Sequence, residues 1–462
     1  MSQTDKNTDA LTQYRELLDR YGDLIADNTA EPVGDARRQA ARRLVDDKTV
    51  VLPRKGDEGF EYTDLNRMMM PDMGVNIKRL PPSETFLKMF RCGMASLSSL
   101  SGFVVNDFFI LSDELSRRLP EGAHITAFSN AGPRWSPIIR KYYGTVASDN
   151  EAMTLLNTAL AQDGLLIYLE KGVKITKPLQ IINLLQPISG PDGTEMPVLA
   201  LRRILVVLEE NSQCSVMVCD HSRDSGTQSV STRVTEVALA PGASLKWYDV
   251  EETGGTSGRY TRFAARQGAD SRLELFTGTL RPGTTRNDID VRLEGKGATL
   301  SIDGMVIADN AETADNSTTV RHLVSDCESH QRFKYLLRGE SRGAFEGLIK
   351  VEPGAARTNA SQTNRNIIAD TGARMHAQPQ LEIYCDDVKC GHGSATGQLD
   401  ERALFYMRSR GIDLEQARTM LMNAFMADVI DSVDFEPMRN RLKHLVNQRL
   451  SGNEAACDNC SL

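Results

Sequence analysis

Hydrophobic and polar positions change period twice along the chain. Near the start, Leu11, Tyr14, Leu17, Leu18, Tyr21, Leu24 and Ile25 recur at helical spacing and predict one amphipathic helix. A second helix is expected over 35–47, then a loop over 55–82 punctuated by Gly56, Gly59, Pro71, Gly74, Pro81 and Pro82. From about Gly164 to Tyr384 short β-rich segments alternate with Gly, Asn and Asp turns; Leu165–Leu169, Ile204–Leu208, Val234–Leu239, Leu245–Val250 and Ala344–Val351 are examples. Within them the period is two: Phe333, Tyr335 and Leu337 share one face, Arg332 and Lys334 the other. From Leu399 the period is helical again. Asp400 suits an N-cap, Ala403, Leu404 and Met407 form a stripe, and Gly411 can take the left-handed conformation that ends a helix. Asp413 with Gln416 resembles a capping box opening a second helix, with Ala417, Met420, Leu421, Ala424, Phe425 and Val429 on its face. A third helix follows near Pro437, carrying Leu442, Leu445 and Val446.

These changes divide the chain into a mainly helical region (1–150), a β core (151–397), a helical region (398–450) and a polar tail (451–462). No helix-length pattern separates the strands, which argues against a sheet built of βα units. A sandwich, an antiparallel barrel and a β-solenoid remain. The unbroken run of short strands favours the solenoid, a mainly β fold with helical ends.

A formal net charge of −8 argues against nonspecific nucleic-acid binding, which needs a basic surface. No apolar run approaches the roughly 18 residues of a membrane span, and the first residues lack a secretory core. The eight cysteines are scattered, the pattern of a reducing compartment. A cytoplasmic protein is the expectation.

The densest chemistry lies where a short apolar strand from Leu381 runs into Cys390–Gly391–His392–Gly393, read as a turn. A thiol and an imidazole two residues apart share one face of extended chain, with Asp386 and Val388 on the same side. Cys385 falls on the opposite face and reads as core. Two ligands do not complete a tetrahedral site, which takes about four. Other readings are a histidine hydrogen-bonded to Asp386, Asp387 or a backbone carbonyl, and a cysteine that merely packs. The adjacent acids Asp386 and Asp387 point opposite ways on a strand and suit no acid–base pair. Cys457 and Cys460 form a C-x-x-C near the end without a second ligand pair, the pattern of an adventitious metal-binding tail. A Walker A loop, a Gly-x-Ser-x-Gly elbow and a His-Glu-x-x-His helix are all absent from the sequence.

Thr318–His322, Phe333–Leu337, Phe345–Val351, Thr358–Asn364, Pro379–Ile383, Asp386–Gly393 and Leu404–Ile412 together resemble the SufD-type scaffold subunits of the SUF iron–sulfur cluster assembly system, and Gly59–Leu65 resembles the family's N-terminal region. Lys389–Gly393 and Leu404–Met407 differ from what a SufB-type paralogue would show. The resemblance implies a right-handed parallel β-helix core flanked by helices. It implies a non-enzymatic scaffold, without a nucleotide of its own, that pairs with a SufB-like subunit and a SufC-like ATPase and depends indirectly on sulfur-donor proteins. A transient iron–sulfur cluster would form between His392, with Cys390, and the partner. Leu404, Phe405, Met407, Ala417, Met420, Leu421, Ala424 and Phe425 would dock the ATPase. The alternatives are a carbohydrate-active β-helix enzyme and a purely structural adaptor.

Overall fold

The computed structural model describes residues 9–78, 100–111, 113–147, 151–189, 194–222 and 226–452. Two sheets, of ten and nine strands, face each other across a common core. From Leu165 the chain passes alternately between them, and successive strands within each sheet pair in parallel, making a parallel β-solenoid. Its ladders stack like on like. Leu245, Leu273 and Leu300 are register partners in one wall; Val291 and Val320 in the other. The inward faces form a continuous apolar core from Leu165 and Val216 to Phe333 and Phe345. The period-two prediction for Phe333, Tyr335 and Leu337 holds: all three are fully buried.

The corners explain why no repeat is obvious in the sequence. Asn211, Gly242, Asp270 and Gly297 all adopt positive φ at successive corners. A Cβ on Gly242 would lie 2.3 Å from Asn211 Oδ1, and one on Gly297 would lie 2.2 Å from Asp270 Oδ1. Each glycine therefore combines a left-handed backbone with space for the preceding coil's side chain. The repeat is conformational: Asn, Asp or Gly takes the left-handed position at different corners, so no single residue recurs.

Several strands escaped the pattern because their inward residues are polar. Ser257–Gln267 carries Arg259 inward, and Thr358–Ile368 carries Gln362, Asn364 and Asn366. Arg259 Nε donates to Asp220 Oδ2 at 2.7 Å, Arg233 to the same oxygen at 2.8 Å, and Asn183 Nδ2 to Asp220 Oδ1 at 2.6 Å. Burial alone would raise the Asp220 carboxyl, but Arg233, Arg259 and Arg202 override it and hold it below the usual range. Further along the axis, Asn287 donates to Asn316 (3.0 Å), and Asn316 to the Tyr335 hydroxyl (2.6 Å).

Among the described residues, three strands lie within the first 150, which were read as mainly helix and loop. Leu100–Val105 extends the ten-stranded sheet, Phe108–Leu111 folds back antiparallel on it, and Ala123–Ala127 pairs antiparallel with Leu165–Leu169. Each is only four to six residues long, too short to register as a period. They close this end of the solenoid. Helices Leu11–Asp27, Gly34–Asp46 and Ala152–Leu160 cover the outer face of the nine-stranded sheet around Leu199, Leu201, Val230 and Tyr260. Burial on both faces accounts for the wholly buried strand Leu199–Leu208.

Helices Glu401–Ser409, Leu414–Ile430 and Glu436–Leu450 pack on the outer face of the ten-stranded sheet, over Met217, Tyr248, Phe276, Met305 and Leu336. Lys334 Nζ, nearly buried, donates to the Phe425 carbonyl (2.7 Å) and Asp428 Oδ1 (2.6 Å) and lies over the Phe425 ring. Arg449 pairs with Glu312 at 2.6 Å. Among the described residues no helix is long and apolar enough to cross a membrane.

Candidate functional site

At the far end, no antiparallel strand closes the solenoid among the described residues. Arg374–Ile383 ends the nine-stranded sheet and Val388–Gly397 ends the ten-stranded sheet, and both are full-length strands paired on one side only. The Cys390–His392 segment, expected as a turn, lies inside this last strand. The reversal falls earlier, at 384–387, pinned by Arg357 N donating to the Asp387 carbonyl (2.6 Å) and Val388 N to the Asp386 carbonyl (3.1 Å). The glycines that suggested a turn are overridden by the ladder to Thr358–Ile368.

The register assigns the faces. Cys390 pairs with Ala360 and His392 with Gln362. Ala360, Gln362, Asn364 and Asn366 are buried inward-facing residues, so Val388, Cys390, His392, Ser394 and Thr396 face the lumen at its open mouth. Asp386, expected beside them, is exposed in the corner. Cys390 is half-buried against Ile349, Val351, Ala355 and Ala360. Burial pushes its thiol up, countered in part by a backbone hydrogen bond at Ala360, so the neutral form dominates at neutral pH. Cys385 packs against the same cluster instead of facing away, because the corner turns it back. His392 is exposed and makes no hydrogen bond among the described residues. The alternative that ties it to Asp386, Asp387 or a carbonyl is not realised. Deeper in, Asn366 Nδ2 donates to Thr396 Oγ1 (3.0 Å) and Ser394 Oγ to Asn364 Oδ1 (3.2 Å), fixing the second half of the strand. No three His, Cys, Asp or Glu among the described residues converge on a point that could hold a metal. Cys457 and Cys460 lie outside the described residues.

The C-terminal helices begin where capping chemistry predicts. Asp400 accepts from the Arg402 and Ala403 amides at 2.8 and 3.2 Å, Asp413 accepts from Gln416 N at 3.0 Å, and Gly411 has φ +89°. The eight residues expected on their docking face divide. Leu404 and Ala417 are buried, and Met407, Leu421 and Phe425 pack partly buried against the same core. Phe405, Met420 and Ala424 stay outside, Phe405 at 75% exposure. Tyr406 and Leu414, not singled out in the sequence, join them. An amphipathic stripe identifies the side a helix buries, and that side here meets the solenoid. The outward aromatics carry no periodic signal; only their size at solvent positions marks them.

A model of the SUF system FeS cluster assembly SufBD core domain matches residues 192–425, and one of the SufBD protein N-terminal region matches 8–181. An iron–sulfur cluster assembly SufBD family protein of Synechocystis sp. is 25% identical over 455 residues, 96% of this chain and 98% of the relative. The iron–sulfur cluster assembly protein SufD of Escherichia coli is 28% identical over 302 residues, 65% and 70% of the two chains. SufD of Bacillus subtilis is 26% identical over 343 residues, 74% and 76%. The core match spans the solenoid strands from Leu199 onward, the helix Glu401–Ser409 and most of Leu414–Ile430, including the mouth that carries Cys390 and His392. The chain therefore belongs to the SufBD family of SUF iron–sulfur cluster assembly proteins, as a SufD-type member.

Proposed function

We propose that this chain is a non-enzymatic scaffold subunit that pairs through the open end of its solenoid with a SufB-like chain and builds an iron–sulfur cluster between them. The observation that carries the reading is the asymmetry of the two ends. One is closed by short antiparallel strands; the other leaves two ten-residue edges unpaired among the described residues. Exposed full-length edges are templates for strand addition from another chain. His392 stands unbonded on the lumen side of one of them, where a second solenoid would cover it. The imidazole and the Cys390 thiol are suitable iron ligands, and about two more donors would come from the partner. Pairing with iron would favour the thiolate that burial now disfavours.

The outward Phe405, Tyr406, Leu414 and Met420 would dock a SufC-like ATPase, and the buried half of the original set would transmit its motion into the ten-stranded sheet through Phe425, Asp428 and Lys334. ATP is then the partner's substrate, sulfur comes indirectly from donor proteins, and the complex works in the cytoplasm. Family membership leaves no ground for the carbohydrate-active alternative. The test is anaerobic reconstitution of the His392→Ala chain with its SufB-like partner, iron and sulfide. Cluster absorbance should fall while the two chains still co-elute; full absorbance would remove His392 from the mechanism.

A further inference from the structure

Beneath the open mouth, Gln331, Gln362 and His392 occupy successive register positions in one inward-facing column. Both amides are at most 2% exposed. Gln362 reaches across the lumen to the opposite wall: a Cβ on Gly347 would fall 2.0 Å from Gln362 Nε2 and 2.6 Å from its Oε1. Glycine at 347 thus leaves the room that the amide fills, and the amide forms a floor under His392. Its Nε2 donates to Gln331 Oε1 at 3.4 Å, while its Oε1 is buried without a partner among the described residues. A buried amide oxygen without a donor is disfavoured and calls for one.

Buried donors without a partner among the described residues stand below it in the column, Gln331 Nε2, and along its own strand face, Asn364 Nδ2; on the mouth side the next donor is His392. The inward residues of Thr358–Ile368 and Val388–Gly397, and those facing them from Arg342–Val351 and Arg374–Ile383, include no charged side chain. The carboxylate that commonly orients a ligating histidine is therefore missing from this wall. His392, the next residue in the column, has both ring nitrogens unused among the described residues.

We propose that Gln362 is the positioning residue for His392. When the partner covers the strand, Gln362 Oε1 accepts the N–H of one ring nitrogen, which fixes the tautomer and turns the other nitrogen's lone pair outward toward iron. Hydrogen bonds then run in one sense, from His392 to Gln362 to Gln331, each amide oriented by the next. The inference rests on the reading of His392 as a ligand, and the experiment separates the two.

Gln362→Met keeps the volume and removes the acceptor; Gln362→Glu keeps an acceptor at the same reach. Each is paired with the SufB-like chain and measured by ¹⁵N-histidine spectra without metal and by titration with Fe(II) alone. The wild type should show a single His392 tautomer. Gln362→Met should give a mixture and hold Fe(II) about tenfold or more weaker, with an unchanged melting temperature, and Gln362→Glu should restore both readouts. If Gln362→Met does not fold, Gln362→Asn, which withdraws the amide by one methylene, gives the same two measurements. An unchanged tautomer and Fe(II) affinity in Gln362→Met, with His392→Ala defective, overturns the positioning role alone. Unchanged Fe(II) affinity in His392→Ala overturns the ligand reading beneath it.

Discussion

Replacing Asp220 with Asn tests whether the charged interior of the solenoid is a balanced unit. Four donors converge on this carboxylate: Asn183 at 2.6 Å, Arg259 at 2.7 Å, Arg233 at 2.8 Å and Arg202 at 3.4 Å. Arg202, Arg233 and Arg259 face Asp220, Asp249 and Glu251, all but Asp249 nearly inaccessible to water. Asparagine would leave three guanidiniums against two carboxylates and turn an NH₂ donor toward other donors. Breaking a buried pair by removing one partner costs about 3–5 kcal/mol, a large share of the roughly 5–15 kcal/mol that holds a domain folded. Urea unfolding followed by circular dichroism should show that loss. Asp220→Asn with Arg233→Met restores the balance and should recover a substantial part of it, because the two sites share one network. A single-variant loss below about 1 kcal/mol, or a double variant no better than the sum of its parts, would refute the idea that charge balance stabilises this core.

Lys334→Met removes both hydrogen bonds to the helix Leu414–Ile430. It should cost about 1–2 kcal/mol, discounted because Asp428 is half-exposed, and amide exchange in that helix should quicken before the sheet is affected. Phe405→Asp should leave the melting temperature unchanged and abolish co-purification with a SufC-like ATPase, whereas Leu404→Asp, one residue away but buried, should destabilise the chain by about 3 kcal/mol or more. Burial lowers the His322 pKa to about 4, with Nε2 held by Ser329 Oγ at 2.8 Å. In the unfolded chain it protonates near its ordinary value of about 6.5, so its contribution is complete above that pH and is lost as the pH falls toward 4. Between pH 7 and 5 wild type should lose about 2 kcal/mol more than His322→Asn; equal pH dependence of the two urea midpoints would contradict this.

Local chemistry was enough to identify a mainly β core between helical regions and the helix ends. Alternation at Phe333, Tyr335 and Leu337 reflects a strand with one face in a core, and Asp400, Gly411 and Asp413 act on backbone groups within a turn of themselves. Such signals need no distant partner. The mouth was different. Whether Cys390–Gly391–His392–Gly393 turns or extends depends on Thr358–Ile368, some thirty residues away, and Cys385 moved to the Cys390 side because a corner reversed it. The same holds for the strands with Arg259 and Gln362 inside: a polar residue reads as solvent-facing until its partner, Asp220 or Gly347, is brought across the lumen. The stripe Leu404, Ala417 and Phe425 marked a buried side but not what would cover it. Periodicity and capping are properties of neighbouring residues, and the chain alone carries them. Which face is inside, which edge stays open and which amide lies beneath His392 arise only when coils stack, because stacking joins positions that no local rule connects.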